Sequence, residues 1–321
     1  MALPQQFNGR LRLPLVGAPM FIVSQPPLVI AQCKAGVMGS FPSLNARPAS
    51  LLDEWLSEIR ETLDAHDRAN PDALSAPFAV NQIVHKSNDR LEADVAMCVK
   101  HKVPVVITSL GAREDVYQAI HSYGGIVLHD VINLVHARKA IEKGADGLIA
   151  VAAGAGGHAG LLSPFALVQE IRQWFKGPLA LGGAIANGRS ALAARAMGAD
   201  LAYVGSAFIA TQEAHAIESY KQGIVDGTAS DIVYTNLFTG VHGNYLRASI
   251  VNAGLDPDNL PKSDPSAMNF GSGGTSLAKA WRDIWGCGQG IGVLHDVPTT
   301  AELVARWTTE YNDALAELNA R

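Results

Sequence analysis

Short apolar runs rich in β-branched residues recur along the first two thirds of the chain, each followed by a longer segment with helical spacing. Because strands that are apolar throughout are buried on both faces, this alternation predicts a parallel sheet covered by helices. The predicted strands lie at 13–20, 36–43, 77–84, 103–110, 125–131, 147–154, 178–185 and 201–208, and helices between them include 49–67, 88–102, 133–144, 163–177 and 187–199.

The ends of several predicted helices carry capping residues. Asn133 precedes one helix as a candidate N-cap, and Gly144 follows it as a stop. A regular closing helix begins at Thr299 or Thr300, with Glu302 in its first turn.

Eight strand–helix units in roughly 210 residues match a (β/α)8 barrel in number and size. A doubly wound open sheet is the alternative, but it usually has fewer strands and a GxGxxG turn after the first. Here the first strand runs into "GAPMFIVS", which contains no such turn. We therefore predict an α/β protein with a (β/α)8 TIM barrel over residues 1–225.

The pattern changes after Ala214, where Gly, Pro, Asn and Asp become frequent. This composition predicts irregular structure with short helices. Its apolar residues need cover, so we expect residues 226–321 to fold over the barrel mouth as a lid or substrate segment, packed on the barrel rather than independent. Within it, residues 227–274 would select the substrate if the protein is a reductase.

Composition narrows the possible functions. The chain has 321 residues, of which 48% are hydrophobic and 17% charged, as is typical of a globular protein. Its formal net charge of −5 argues against the basic surface of a nucleic-acid binder. It contains no signal-peptide pattern and no apolar run of about 18 residues, so we expect a cytoplasmic protein without a membrane partner. Three widely spaced cysteines support neither a disulfide framework nor a zinc site, and we predict no metal.

Candidate chemistry lies at the carboxyl ends of the strands, where barrel enzymes place their active sites. Loops after strands seven and eight commonly bind phosphate through backbone N–H groups and a helix N-terminus. Tight turns that need positive φ are the alternative explanation for glycines there. Both loops carry suitable residues at the expected strands, which favours a phosphate site formed by Gly182, Gly183, Gly205 and Ser206.

His158 lies in "AAGAGGHAG", directly after the sixth predicted strand. The glycines indicate either a flexible connector or a flat ligand that approaches the backbone closely. An imidazole with an ordinary pKa near 6.5 can accept a proton at neutral pH, so we predict that His158 is a general base. His129, at the end of the fifth strand, is a second candidate for contact with substrate.

Other strand ends offer further contacts. Ala18 and Met20 of "GAPM" could lie against a flat conjugated ring, and the Asn81 amide could both donate to and accept from its edge. Gln289 in "WGCGQGIG" could reach the substrate where the chain returns to the barrel mouth. Asp130 could act as an acid or base, although capping of the following helix is its simpler interpretation.

The ordered motifs "GAPM", "AVN", "AGGHAG", "LGGAIANGRSALAARAMGAD", "YVGSAF" and "WGCGQGIG" resemble the nitronate monooxygenase family over nearly the whole chain. Members are FMN-dependent TIM barrels, so the resemblance implies FMN as cofactor. It also implies oxidation of alkyl nitronates or nitroalkanes with O2 to a carbonyl compound and nitrite, with His158 as the base. The implied FMN contacts are Ala18, Met20, Asn81, Gly156, Gly182, Gly183, Gly205 and Ser206.

This chain departs from many members of the family at three positions. Val151 stands where they have a glutamine, Gly154 where they have an acid, and Asp130 where some have a basic residue. The resemblance therefore implies a pocket with fewer polar and charged side chains than in typical members. Two alternatives remain open: an FMN-dependent NAD(P)H reductase of quinones or enoyl thioesters, and a lyase or isomerase that uses the phosphate site without flavin. The substrate is a small molecule in each case, with O2 or a quinone as acceptor in the flavin enzymes, and the oligomeric state is left open.

Overall fold

Eight parallel strands form the centre of the protein. The computed structural model describes residues 3–4, 7, 9–263 and 282–320. Each predicted strand is present, although shorter than its apolar run. The barrel strands are β1 (Leu15–Gly17), β2 (Ser40–Pro42), β3 (Ala79–Ile83), β4 (Val105–Ser109), β5 (Ile126–Val131), β6 (Gly147–Val151), β8 (Leu179–Gly182) and β9 (Leu201–Val204).

The sheet closes on itself. Strands β2 to β6, β8, β9 and β1 pair in parallel in that order. Between β1 and Met38, two residues before β2, the Gly17 N–H donates to the Met38 carbonyl at 2.8 Å, and the Met38 N–H donates to the Leu15 carbonyl at 3.0 Å. The predicted (β/α)8 barrel is confirmed, and the open-sheet alternative is wrong.

Side chains on successive strand positions enter two different cores. Leu128 and Ile149 belong to the cluster inside the barrel, whereas the adjacent Val127 and Leu148 belong to the cluster between strands and helices. All four are at most 1% exposed. Burial on both faces explains why the strands read as continuous apolar runs.

Helices cover the outside of the barrel. As predicted, Asn133 caps α5 by accepting from the His136 N–H at 2.9 Å, and Thr299 forms a capping box with Glu302. The helices are α1 (Pro26–Ala35), α2 (Leu51–Ala69), α3 (Leu91–Lys100), α4 (Glu114–His121), α5 (Leu134–Glu142), α6 (Pro164–Arg172), α7 (Gly188–Ala196), α8 (Ser206–Ile209), α9 (Glu218–Asp226), α10 (Arg247–Asn252) and α11 (Thr300–Asn319).

The C-terminal region contains a β-hairpin as well as short helices, which corrects the expectation of irregular structure. Strands β10 (Ile232–Thr235) and β11 (Gly243–Leu246) are antiparallel, and β11 also pairs with β7 (Gly157–His158), in the loop after β6. The β-branched and aromatic run at 232–235 was the available signal for it. The boundary at residue 225 stays a prediction, and residues 264–274 of the expected substrate-selecting segment lie outside the described part.

Candidate active site

A cavity opens at the carboxyl ends of the barrel strands. Its volume is about 580 Å³, within the range of roughly 300–1,000 Å³ found for small-molecule sites. The predicted site residues among its lining are Ala18, Met20, Asn81, His129, Gly156, His158, Gly182, Gly183, Gly205 and Ser206.

Gln289 is the predicted site residue that the structure places outside this lining. It is exposed, and its backbone N–H donates to the Gly154 carbonyl at 2.9 Å. The adjacent Gly288 and Gly290 do line the cavity. The "WGCGQGIG" segment therefore returns to the barrel mouth as expected, but with its backbone toward the site.

The position of His158 is set by the C-terminal hairpin. Its backbone pairs with Gly243 of β11, and its ring Nε2 lies 2.8 Å from the Thr239 hydroxyl. That hydroxyl also donates to the Val241 carbonyl at 3.1 Å. A hydroxyl has one proton to donate, so the arrangement favours Nε2–H as the donor to Thr239 and leaves the imidazole lone pair on Nδ1.

The imidazole of His158 is neutral at physiological pH. Burial disfavours the charged ring and lowers its pKa from 6.5 to about 4. A neutral imidazole can accept a proton, which a general base requires.

Glycines around His158 allow two backbones to approach each other. A Cβ atom at Gly156 would lie 2.7 Å from the Gly288 nitrogen, and one at Gly288 would lie 2.7 Å from the Gly154 oxygen. Gly154 also has φ of 84°, in the left-handed region. The glycine-rich stretch is thus a packed contact with the C-terminal segment, not a flexible connector.

The ends of β8 and β9 form the glycine-rich side of the cavity. A Cβ atom at Gly205 would lie 3.5 Å from Met20 Sδ, an ordinary contact. The Ser206 hydroxyl accepts from the Gly288 N–H at 2.9 Å and is also hydrogen-bonded to the Cys287 thiol. Gly182 and Gly183 line the same side, so the four predicted phosphate residues lie around one cavity.

His129 is held in the layer between the sheet and α4. Its Nδ1 lies 2.7 Å from the Thr108 hydroxyl and 3.0 Å from the Tyr117 hydroxyl. The residue is 5% exposed, and burial lowers its pKa to about 4. These contacts engage the ring outside the barrel, so they support a structural role.

Asp130 lines the cavity and does not cap the following helix, which Asn133 caps instead. The Ser109 hydroxyl donates to Asp130 Oδ2 at 2.5 Å and accepts from Asn81 Nδ2 at 2.7 Å. Burial outweighs the hydrogen bond from Ser109 and raises the pKa of Asp130 to about 6. The simpler interpretation of Asp130 from sequence was wrong because a nearer Asn takes the cap.

Several residues of the site were not singled out from the sequence. Ser109 ends β4, and its position at a strand end was a usable signal. Thr239 lies 81 residues from its partner His158, and no local pattern indicates that pairing. Further lining residues are Tyr203 and the ionisable side chains Arg47, His136 and Lys139.

The residues around the cavity are compatible with a flavin cofactor. The cavity has the volume of a small-molecule site and lies at the carboxyl ends of the strands, and Gly205 leaves space beside the Ser206 hydroxyl. Gly182, Gly183, Gly205 and Ser206 would hold the phosphate, and Ala18, Met20 and Asn81 would contact the ring or its side chain. Across residues 3–263 and 282–320, where described, no helix is long and apolar enough to cross a membrane, and no group of three His, Cys, Asp or Glu is placed to hold a metal ion.

Solved structures share this fold across the whole chain. A nitroalkane oxidase from Streptomyces ansochromogenes has a TM-score of 0.82 at 22% identity, covering 98% of this chain and 100% of that one. FabK from Thermotoga maritima has a TM-score of 0.77 at 22% identity, covering 100% and 99%. At these identities the likeness is one of fold.

Relatives by sequence identify the family. The chain is 26% identical to a nitronate monooxygenase of Paraburkholderia phytofirmans, over 95% of this chain and 94% of the relative. It is 25% identical to an indene-carboxyl-CoA dehydrogenase of Rhodococcus jostii, over 75% of this chain and 64% of the relative. The profile of the family described as nitronate monooxygenase matches residues 9–310. The chain therefore belongs to the nitronate monooxygenase family and is a flavin-dependent oxidoreductase.

Proposed function

We propose that the protein is an FMN-dependent nitronate monooxygenase, which converts alkyl nitronates or nitroalkanes and O2 to a carbonyl compound and nitrite. The observation that carries this proposal is the neutral imidazole of His158 in the cavity, hydrogen-bonded to Thr239 and beside the glycine-rich side of the cavity. The family match over residues 9–310 supports it. Bound FMN would supply the redox chemistry by accepting electrons from the substrate.

The chain's own residues position the substrate and move a proton. His158 would remove the α-proton of a neutral nitroalkane, while Thr239 accepts from Nε2–H and holds the ring in one tautomer. A nitronate has already lost this proton and does not need the base. Packing of β11 on β7 keeps the imidazole at the cavity wall.

Purification and one variant test this proposal. The protein should be yellow with bound FMN and should release nitrite from a nitronate in air. His158→Asn should lower kcat/KM for a neutral nitroalkane by roughly 10²–10⁴-fold, the usual contribution of a general base, while nitronate oxidation and FMN content stay near wild type. Colourless protein that does not take up FMN, or equal loss on nitroalkane and nitronate, would contradict it.

A second candidate is an NAD(P)H-dependent reductase of quinones or enoyl thioesters. The favouring observation is the set of exposed basic side chains Arg47, His136 and Lys139 at the cavity, which suits the phosphates of a dinucleotide or a thioester carrier. Anaerobic mixing separates the two functions. Rapid bleaching of the flavin by NADH or NADPH favours the reductase, and bleaching by a nitronate alone favours the monooxygenase.

A further inference from the structure

Asp130 is an acidic group inside the cavity to which the proposed reaction assigns no role. The residue is half-buried at the end of β5. Its carboxyl is reached from two neighbouring strands, through Ser109 of β4 and then Asn81 of β3. A built chain of hydrogen bonds therefore ends on this carboxyl.

The direction of that chain decides which oxygen faces a ligand. Asn81 Nδ2 lies 3.3 Å from the Ile107 carbonyl, which fixes the amide nitrogen on the side of Ser109. Ser109 accepts from that nitrogen and donates its own proton to Asp130 Oδ2. Because Oδ2 is an acceptor, a protonated Asp130 carries its proton on Oδ1.

Oδ1 remains available to a ligand in the cavity. Among the described residues at 3–263 and 282–320, Ser109 is the hydrogen-bond partner of this carboxyl, through Oδ2. Oδ1 is not among the buried side-chain atoms that lack a hydrogen bond. In the neutral state it presents an O–H donor to the cavity. In the ionised state it presents a negative charge there instead.

Other ionisable side chains also line the cavity. His158 has a pKa near 4, and burial with the charge of Asp130 raises the pKa of Tyr203 well above 10. Arg47 and, on α5, His136 and Lys139 lie exposed at the cavity. Because His136 lies at the cavity, it is also replaced as a control below.

We propose that Asp130 is a substrate-contacting acid, and that the site binds an anionic substrate together with one proton held on Asp130 Oδ1. The neutral carboxyl donates a hydrogen bond to an oxygen of the anion, whereas the ionised carboxyl repels it. This inference rests on the proposed function, since it takes the nitronate as the anion. The protonation state of Asp130 then decides whether the site accepts an anionic substrate.

Nitrate binding to the FMN-loaded enzyme tests this inference without turnover. Nitrate is a planar anion whose charge is constant between pH 5 and 8, and its dissociation constant can be followed through the flavin absorption spectrum. We expect the constant to rise about tenfold per pH unit above an inflection near the pKa of Asp130, as for a ligand that binds only the protonated form. Asp130→Asn, which keeps a donor and cannot ionise, should bind nitrate equally across this range.

Three further variants separate Asp130 from other causes. The hydrogen bond from Ser109 lowers the pKa of Asp130. Ser109→Ala removes this bond, so it should raise that pKa and move the inflection to higher pH. His136→Gln should leave the inflection in place, as should Asp313→Asn, which removes an exposed carboxylate on α11.

Three results would overturn the inference: nitrate affinity in wild type that does not change with pH, an inflection that persists in Asp130→Asn, or no nitrate binding at pH 5. Since no substrate is consumed, these failures are distinct from a failure to oxidise nitronates.

Discussion

Gly156→Ala distinguishes two roles for the glycines around His158. The sequence interpretation was clearance for a flavin ring, whereas the structure places the Gly288 nitrogen 2.7 Å and the Cys287 carbonyl carbon 3.0 Å from a Cβ atom at this position. Both atoms belong to the backbone and cannot move aside as a flexible side chain could. An added methyl group should therefore push the C-terminal segment away from the loop, with or without flavin.

The cost follows from overpacking. Forcing a methyl group into a packed site typically costs 1–3 kcal/mol. Replacing Gly by Ala also restricts the unfolded chain, which stabilises the fold by about 0.4–1 kcal/mol. The expected net loss in free energy of unfolding is about 1–2 kcal/mol, equivalent to a fall in Tm of about 2–4 °C for a chain of this size.

Gly205→Ala is the matched control. Gly205 also lines the cavity, but a Cβ atom there would lie 3.5 Å from Met20 Sδ, which is ordinary contact with a flexible side chain. In flavin-free protein, Gly205→Ala should unfold at or slightly above the wild-type temperature, while Gly156→Ala unfolds below it. With FMN added, Gly205→Ala should show the weaker cofactor binding. If Gly156→Ala leaves flavin-free stability unchanged and impairs only FMN binding, the packing argument is refuted.

Two further predictions concern histidines. Thr239→Val should lower kcat for a neutral nitroalkane roughly tenfold or more, which is part of the contribution of a general base. Nitronate oxidation should be unchanged, and Thr239→Ser should restore the rate. If Thr239→Val reacts with the nitroalkane as fast as wild type, the hydroxyl does not orient His158. The buried His129 has a folded pKa of about 4, below its usual 6.5, so its stabilisation is complete above pH 6.5 and is lost as the pH falls toward 4. Urea unfolding at pH 7.5 and 5 should show a smaller acid loss in His129→Gln than in wild type, and identical losses would contradict this assignment.

The fold was predictable because a barrel requires strands that are apolar at every position, alternating with helices. Leu148 and Ile149 face different cores and are both buried, so every strand reads as apolar throughout. Helix ends at Asn133 and Thr299 depend on contacts within three residues. The hairpin at 232–246 is local and had a usable signal in its β-branched run at 232–235, whereas its pairing with Gly157 and His158 has no local signal because those residues lie far along the chain.

The candidate site was predictable only in part. Strand ends converge in any parallel barrel, and this alone brings His158, Gly182 and Gly205 to one cavity. Asp130 was misjudged because its role depends on Ser109 and Asn81, which lie on other strands, 21 and 49 positions earlier in the chain. Gln289 lies outside the cavity lining, and residue type alone does not indicate whether a side chain or its backbone faces a cavity.

The sequence by itself determined the barrel, the place of its active face and the residue types available there, because burial and capping act through local spacing. Only the tertiary structure decided that Thr239 orients His158, that Gly156 makes room for Gly288, and that the carboxyl of Asp130 ends a chain of hydrogen bonds. Each of these depends on distances between atoms on separate elements. Such distances follow from how the elements pack, and no local pattern of residues records them.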